Sequence, residues 1–110
     1  LETLYYILTD IDENSTGYQY TDGLNVLNKS FIKDGSYVSY VSYVDGLYFT
    51  IPEYLEYFCC ENPVWIRKVK IPIDGQIVNA GFRWRADKIF LEKKIHLSQF
   101  KKLHPEYFKY

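Results

Sequence analysis

The 110 residues contain no methionine, two cysteines, two histidines, six glycines and four prolines. Each scarcity excludes something. Without methionine the chain does not begin at its own start codon, so a trimmed, processed or excised piece of a longer protein is expected. No apolar run approaches the roughly 18 residues that a membrane helix needs, which argues against a helical span and a membrane partner. The opening "LETLYYILTD" lacks a basic region ahead of its apolar residues and lacks a cleavage pattern, so it does not read as a signal peptide. Cys59 and Cys60 are neighbours, so a bridge between them would be strained and no disulfide framework can form. That pattern fits a reducing compartment. With no second pair at metal-ligand spacing and no histidine nearby, the two thiols read as small half-buried side chains closing a helix.

The shortage of histidine bears on catalysis. A serine or cysteine nucleophile needs a base within hydrogen-bond reach, and His96 in "KKIHLS" and His104 before a proline read as ordinary surface or packing residues. There is no phosphate-cradling glycine loop and no histidine pair at zinc spacing. "DIDEN" alternates acids but lacks the glycine and the distal glutamate of a calcium loop. Neither a metal nor a cofactor is expected, and the reading leans away from an enzyme.

What is abundant is tyrosine, twelve residues, and charge that is unevenly placed. Residues 1–63 hold ten acids against Lys29 and Lys33, a balance of −8, and residues 64–110 hold eleven Lys and Arg against four acids, a balance of +7. Such asymmetry fits either a basic face for nucleic acid or two halves that attract each other. The second is preferred, because the basic residues run through strand-like alternation and no recognition helix, zinc finger or basic zipper is present. Nucleic acid is therefore not the expected partner.

Length and composition fit one globular domain over residues 1–110. Aromatic and β-branched content predicts strands at Leu4–Leu8 and Leu47–Thr50, with short extended pieces at Tyr18–Tyr20 and Leu24–Leu27 bending at Asp22-Gly23. "DGSYVSYVSYVDG" repeats Ser-Tyr-Val three times, a period that suits neither a two-sided strand nor a helical stripe, and reads as a surface connection. A helix is expected to start near Pro52, with Glu53 in its first turn and Leu55, Phe58 and one of Tyr54 or Tyr57 facing inward. "VWIRKVKIPIDGQIV" predicts a strand that turns at Asp74-Gly75 and returns through Ile77-Val78, and a further strand is expected over Ala86–Leu91. The tail from Ser98 reads as one or two short helices broken at Pro105. The sum is an α+β fold: a small, mainly antiparallel sheet with one central helix and short C-terminal helices.

"GLYFT" leading into that helix, followed by "VWIRKVKIP", is similar to the tyrosine-bearing segment of ADP-ribosyltransferases, in which the tyrosine stacks on nicotinamide. That resemblance implies Tyr48 for the stacking role and Asp87 for the acid. The histidine that precedes the tyrosine in that family has no counterpart here, so a degenerate transferase-like or nucleotide-binding domain is the alternative reading. "LYYILTD", "GYQYTDGLNVL", "GLYFT", "VWIRKVKIP" and "WRADKI", in this order, resemble an uncharacterised domain of giant viruses of the mimivirus type, often found N-terminal to ankyrin repeats. The Ser-Tyr-Val stretch departs from that pattern. This second resemblance covers nearly the whole chain and implies a noncatalytic viral protein-interaction module, intracellular in the host cytoplasm or the virion. Its partner would be a host or viral protein, with homodimerisation through aromatic residues as a further expectation. Trp, Tyr and Arg dominate binding energy at interfaces, so Tyr37, Tyr40, Tyr43, Arg83, Trp84 and Arg85 are the interface candidates.

Overall fold

The computed structural model describes residues 3–15, 17–31, 33, 45–58 and 60–108. The strands among them are β1 (Tyr5–Thr9), β2 (Asn14–Ser15), β3 (Tyr18–Gln19), β4 (Gly23–Val26), β5 (Leu47–Phe49), β6 (Trp65–Lys70), β7 (Ile77–Asn79), β8 (Trp84–Ala86), β9 (Lys88–Leu91) and β10 (Ile95–His96). One α-helix, α1 (Leu97–Leu103), and two 3-10 segments, Pro52–Tyr57 and Pro105–Tyr107, complete the order. All strand pairs are antiparallel. A larger sheet runs β1-β6-β9-β4 with β10 also on β6, a smaller one runs β5-β8-β7, and β2 and β3 form a short hairpin.

Among the described residues the expected central helix is not there, and the α+β class is corrected to a small β-rich fold whose one described α-helix lies near the C-terminus. The physical cause is local. The Pro52–Tyr57 segment is confined between Pro52 and Pro63, Asn62 sits in the left-handed region at φ 53°, and three of its six residues are proline or tyrosine, none a strong helix former. It closes as 3-10 turns instead. Its three-residue period sorts the side chains into three rows: Pro52, Leu55 and Phe58 inward, Tyr54 with Tyr57, and Glu53 with Glu56. Leu55 is 1% exposed and anchors the segment.

Two strand pairings also differ from the sequence reading. β3 pairs with β2, and β4 with β9, so Asp22-Gly23 is a crossover between sheets and not a hairpin turn; Gly23 holds φ 80° there. β7 does not return along β6 but joins β8, and the single strand expected over Ala86–Leu91 is two. The break is at Asp87, where the chain changes sheets, as strands do at the corners of packed sheets. Its carboxylate accepts from the Gln76 main-chain N–H at 2.8 Å and its carbonyl accepts from Leu27 N–H at 2.7 Å.

The sheets are joined at a second place, where Tyr6 and Thr50 exchange both backbone hydrogen bonds, at 2.8 and 2.9 Å. Between them lies the main core: Ile7, Val69, Ile89 and Leu91 from the larger sheet against Leu47, Phe49 and Ala86 from the smaller. The opposite face of β1 and β6 carries a second core of Tyr6, Leu8 and Ile66, covered by Leu55, Leu97 and Phe100.

Arg67 explains why β6 reads as mixed on both faces. It points to the main-core side with Val69, is 3% exposed, and uses four of its five N–H donors. Nε donates to Glu13 Oε2 at 2.7 Å, Nη2 to Glu13 Oε1 at 2.9 Å, and Nη1 to Asp22 Oδ1 at 2.6 Å and to the Glu92 carbonyl at 2.9 Å. Glu13, itself buried and at φ 54°, also receives Lys94 at 3.5 Å. This knot fastens the segment between β1 and β4 to the larger sheet.

Candidate interaction surface

Two features of the β7–β8 connection create the most exposed aromatic group on the described molecule. Gly81 takes φ 95°, and its N–H donates to the Asn79 side chain at 2.9 Å, so the chain reverses tightly at the tip. The fully buried Thr50 hydroxyl then donates to the Phe82 carbonyl at 2.7 Å. Phe82 is thereby held in place while its ring stays 59% exposed.

The ring of Phe82 meets the Tyr54–Tyr57 row of the 3-10 segment. Its centroid lies 5.2 Å from Tyr54, edge to face, and 5.2 Å from Tyr57, stacked at 29°. Tyr54 in turn stacks with Trp84 at 6.2 Å, and Trp84 reaches Tyr5 at 6.3 Å. Such pairs add about 0.5–1.5 kcal/mol each beyond the area they bury, so the row is a fixed surface and not a set of loose side chains. Tyr57, like Phe82, is 59% exposed. The row thus grades from solvent at Tyr57 to the main core at Trp84.

The candidates named from sequence are dispersed. Tyr37, Tyr40 and Tyr43 lie outside the described residues. Trp84 is half-buried and belongs to the aromatic row, while Arg83 and Arg85 lie on the other face of the same chain segment because side chains alternate along a strand. Arg85 is 6% exposed, donates to the Asp45 carbonyl at 3.1 Å and covers the Phe31 ring at 4.8 Å. Arg83 is exposed, with its guanidinium 4.1 Å over the Tyr48 ring.

Tyr48 and Asp87 are not brought together. Tyr48 pairs with Arg85 across the smaller sheet, and its hydroxyl donates to Asp45 at 2.7 Å. Partial burial and that carboxylate push its pKa up to about 12, so the phenol stays protonated at neutral pH. Asp87 is committed to Gln76 at the sheet corner. Among the described residues no group of three His, Cys, Asp or Glu could hold a metal, and no helix is long and apolar enough to cross a membrane.

Tyr54, Tyr57 and Phe82 were missed as a surface because an α-helical reading places one of the tyrosines inward. The local signal was the three-residue spacing of Tyr54 and Tyr57, which puts both on one side of a 3-10 segment; Phe82, distant in sequence, left no local signal.

No protein-family model matches the chain, and no solved structure does. Over 85 residues it is 38% identical to a protein of Acanthamoeba polyphaga mimivirus that is named as an ankyrin repeat protein; the match takes in 76% of this chain and 38% of that protein. The chain is similar to a giant-virus protein and spans well under half of that relative's length.

Proposed function

We propose that this chain is a noncatalytic protein-interaction module within a giant-virus ankyrin repeat protein, placed N-terminal to the repeats and acting in the host cytoplasm or the virion. The observation that carries the reading is the exposed aromatic row, Tyr57–Phe82–Tyr54–Trp84, held rigid by Thr50 and by the 3-10 segment. Solvated aromatic rings on a fixed scaffold are the usual energetic centre of a protein contact. The similarity to a mimivirus protein named for ankyrin repeats supports the same reading, since repeat arrays serve chiefly as binding surfaces. The partner is a host or viral protein.

No observation favours the nucleotide-binding alternative: the Tyr48 hydroxyl is engaged by Asp45 and one ring face is covered by Arg83. The test is a photo-crosslinking side chain at position 57 in the full polypeptide, with position 98 as control and NAD titrated in parallel. Crosslinking specific to position 57 and no saturable NAD response are expected. Saturable NAD binding that is lost in Tyr48→Ala would reverse the assignment.

A further inference from the structure

We infer that the partner of this surface is an extended, proline-containing peptide segment with a basic residue at its flank. The inference rests on the interaction reading above and names the chemistry of the ligand. Three observations point to it.

The first is the shape of the surface. Four rings form a continuous row, in which the tyrosines share one side of a 3-10 segment because residues three apart eclipse. Aromatic rows of this kind accept the preformed polyproline helix, whose rings stack on them with little ordering cost. The second is a donor. Among the described residues the Trp84 indole N–H donates to no partner, and no side-chain nitrogen or oxygen is both buried and unpartnered, so that N–H meets solvent. A polyproline backbone has no internal hydrogen bonds and presents free carbonyls, which suit a lone indole donor beside stacked rings. The other tryptophan is already used: Trp65 Nε1 donates to the Ile11 carbonyl at 3.3 Å.

The third is charge. Glu53 and Glu56 form the neighbouring row of the same 3-10 segment, parallel to the tyrosines, and both are exposed. Glu53 has no ion-pair partner among the described residues. The unpaired Glu53 carboxylate at one end of the aromatic row selects a cation next to the prolines and sets the direction in which the peptide lies.

The experiment titrates the protein with short synthetic peptides of the form Arg-X-X-Pro-X-X-Pro and follows the two indole N–H resonances by NMR. The Trp84 resonance should shift saturably and the Trp65 resonance should stay in place. Tyr57→Ala or Phe82→Ala should weaken binding about tenfold or more, the scale of a lost anchor; their spectra report whether the fold is kept, and Tyr57 is the safer site because its side chain supports little else. Glu53→Lys should weaken the Arg-bearing peptide and leave its Arg→Ala version unchanged. No saturable shift with any peptide, or equal binding of peptides with both prolines replaced by alanine, overturns the inference. If crosslinking at position 57 succeeds while the peptides fail, the interaction reading stands and a folded partner or a second copy occupies the row. If both fail, both fall.

Discussion

At the scale of single residues, Arg67 carries the most consequence. A buried guanidinium with the buried Glu13 carboxylate, the solvent-facing Asp22 and a carbonyl around it is balanced as a set, but removing the arginine strands Glu13 in a dry site. Arg67→Met should therefore cost about 3–5 kcal/mol in urea unfolding. The Glu13→Gln/Arg67→Met double variant should lose less than the sum of the singles, with a coupling of about 0.5–3 kcal/mol. Acid should act on the same knot. Burial alone would raise the Glu13 pKa, but the hydrogen bonds and charge of Arg67, aided by Lys94, outweigh it and hold the carboxyl below its ordinary value near 4.5. Asp22 is lowered too, by its hydrogen bond to Arg67. A depressed folded pKa means the contribution is complete above the ordinary range and is lost as pH falls through the folded value. Urea midpoints should show Glu13→Gln far weaker than wild type at pH 6, with the gap narrowing steadily below pH about 4.5. None of this was legible in sequence: "WIRKVK" shows an arginine in alternation, and only the long-range pairing reveals that its side is the buried one. Gly46 is similar. It reads simply as a strand start, yet a Cβ there would meet Arg85 Cβ at 2.8 Å.

At the scale of elements, the Pro52–Tyr57 segment separates stability from binding within a few residues. Leu55 fills the second core and Tyr57 does not. Leu55→Ala should cost about 2–5 kcal/mol, whereas Tyr57→Ala should change stability by less than about 1 kcal/mol and remove the outermost ring of the row. Thermal or urea unfolding of the two variants checks this directly. The sequence indicated where this element begins, through Pro52 and Glu53, and that Leu55 and Phe58 face inward. It misled on the type, because both periods place residues three apart on nearly the same side, so Leu55 and Phe58 face inward under either. The strand at β5, the break at Pro105 and the core of β6 were legible for the opposite reason: chemistry and period agree there over the whole element.

For the molecule as a whole, the uneven charge has a structural counterpart. Each described strand of the first half that joins a larger array pairs with one from the second half: β1 with β6, β4 with β9, β5 with β8. Arg67 with Glu13 and Asp22, and Lys94 with Glu13, form ion pairs across the same divide. Pairing Tyr5 with Val69 or Gly23 with Leu91 requires closing very long loops before any contact is made. Refolding should accordingly take milliseconds to seconds, the regime of nonlocal β-topologies, and stopped-flow fluorescence of Trp65 and Trp84 would read it. A microsecond phase recovering the full signal would contradict the topology. By itself the sequence determined most strand positions and an opposed pair of charged halves, because composition and local period are properties of neighbouring residues. Only the tertiary structure decided which strands meet, that Asp87 is a corner, that Arg67 is buried, and that Phe82 joins the tyrosine row. These depend on residues far apart in the chain competing for the same surface, and no local pattern records the outcome of that competition.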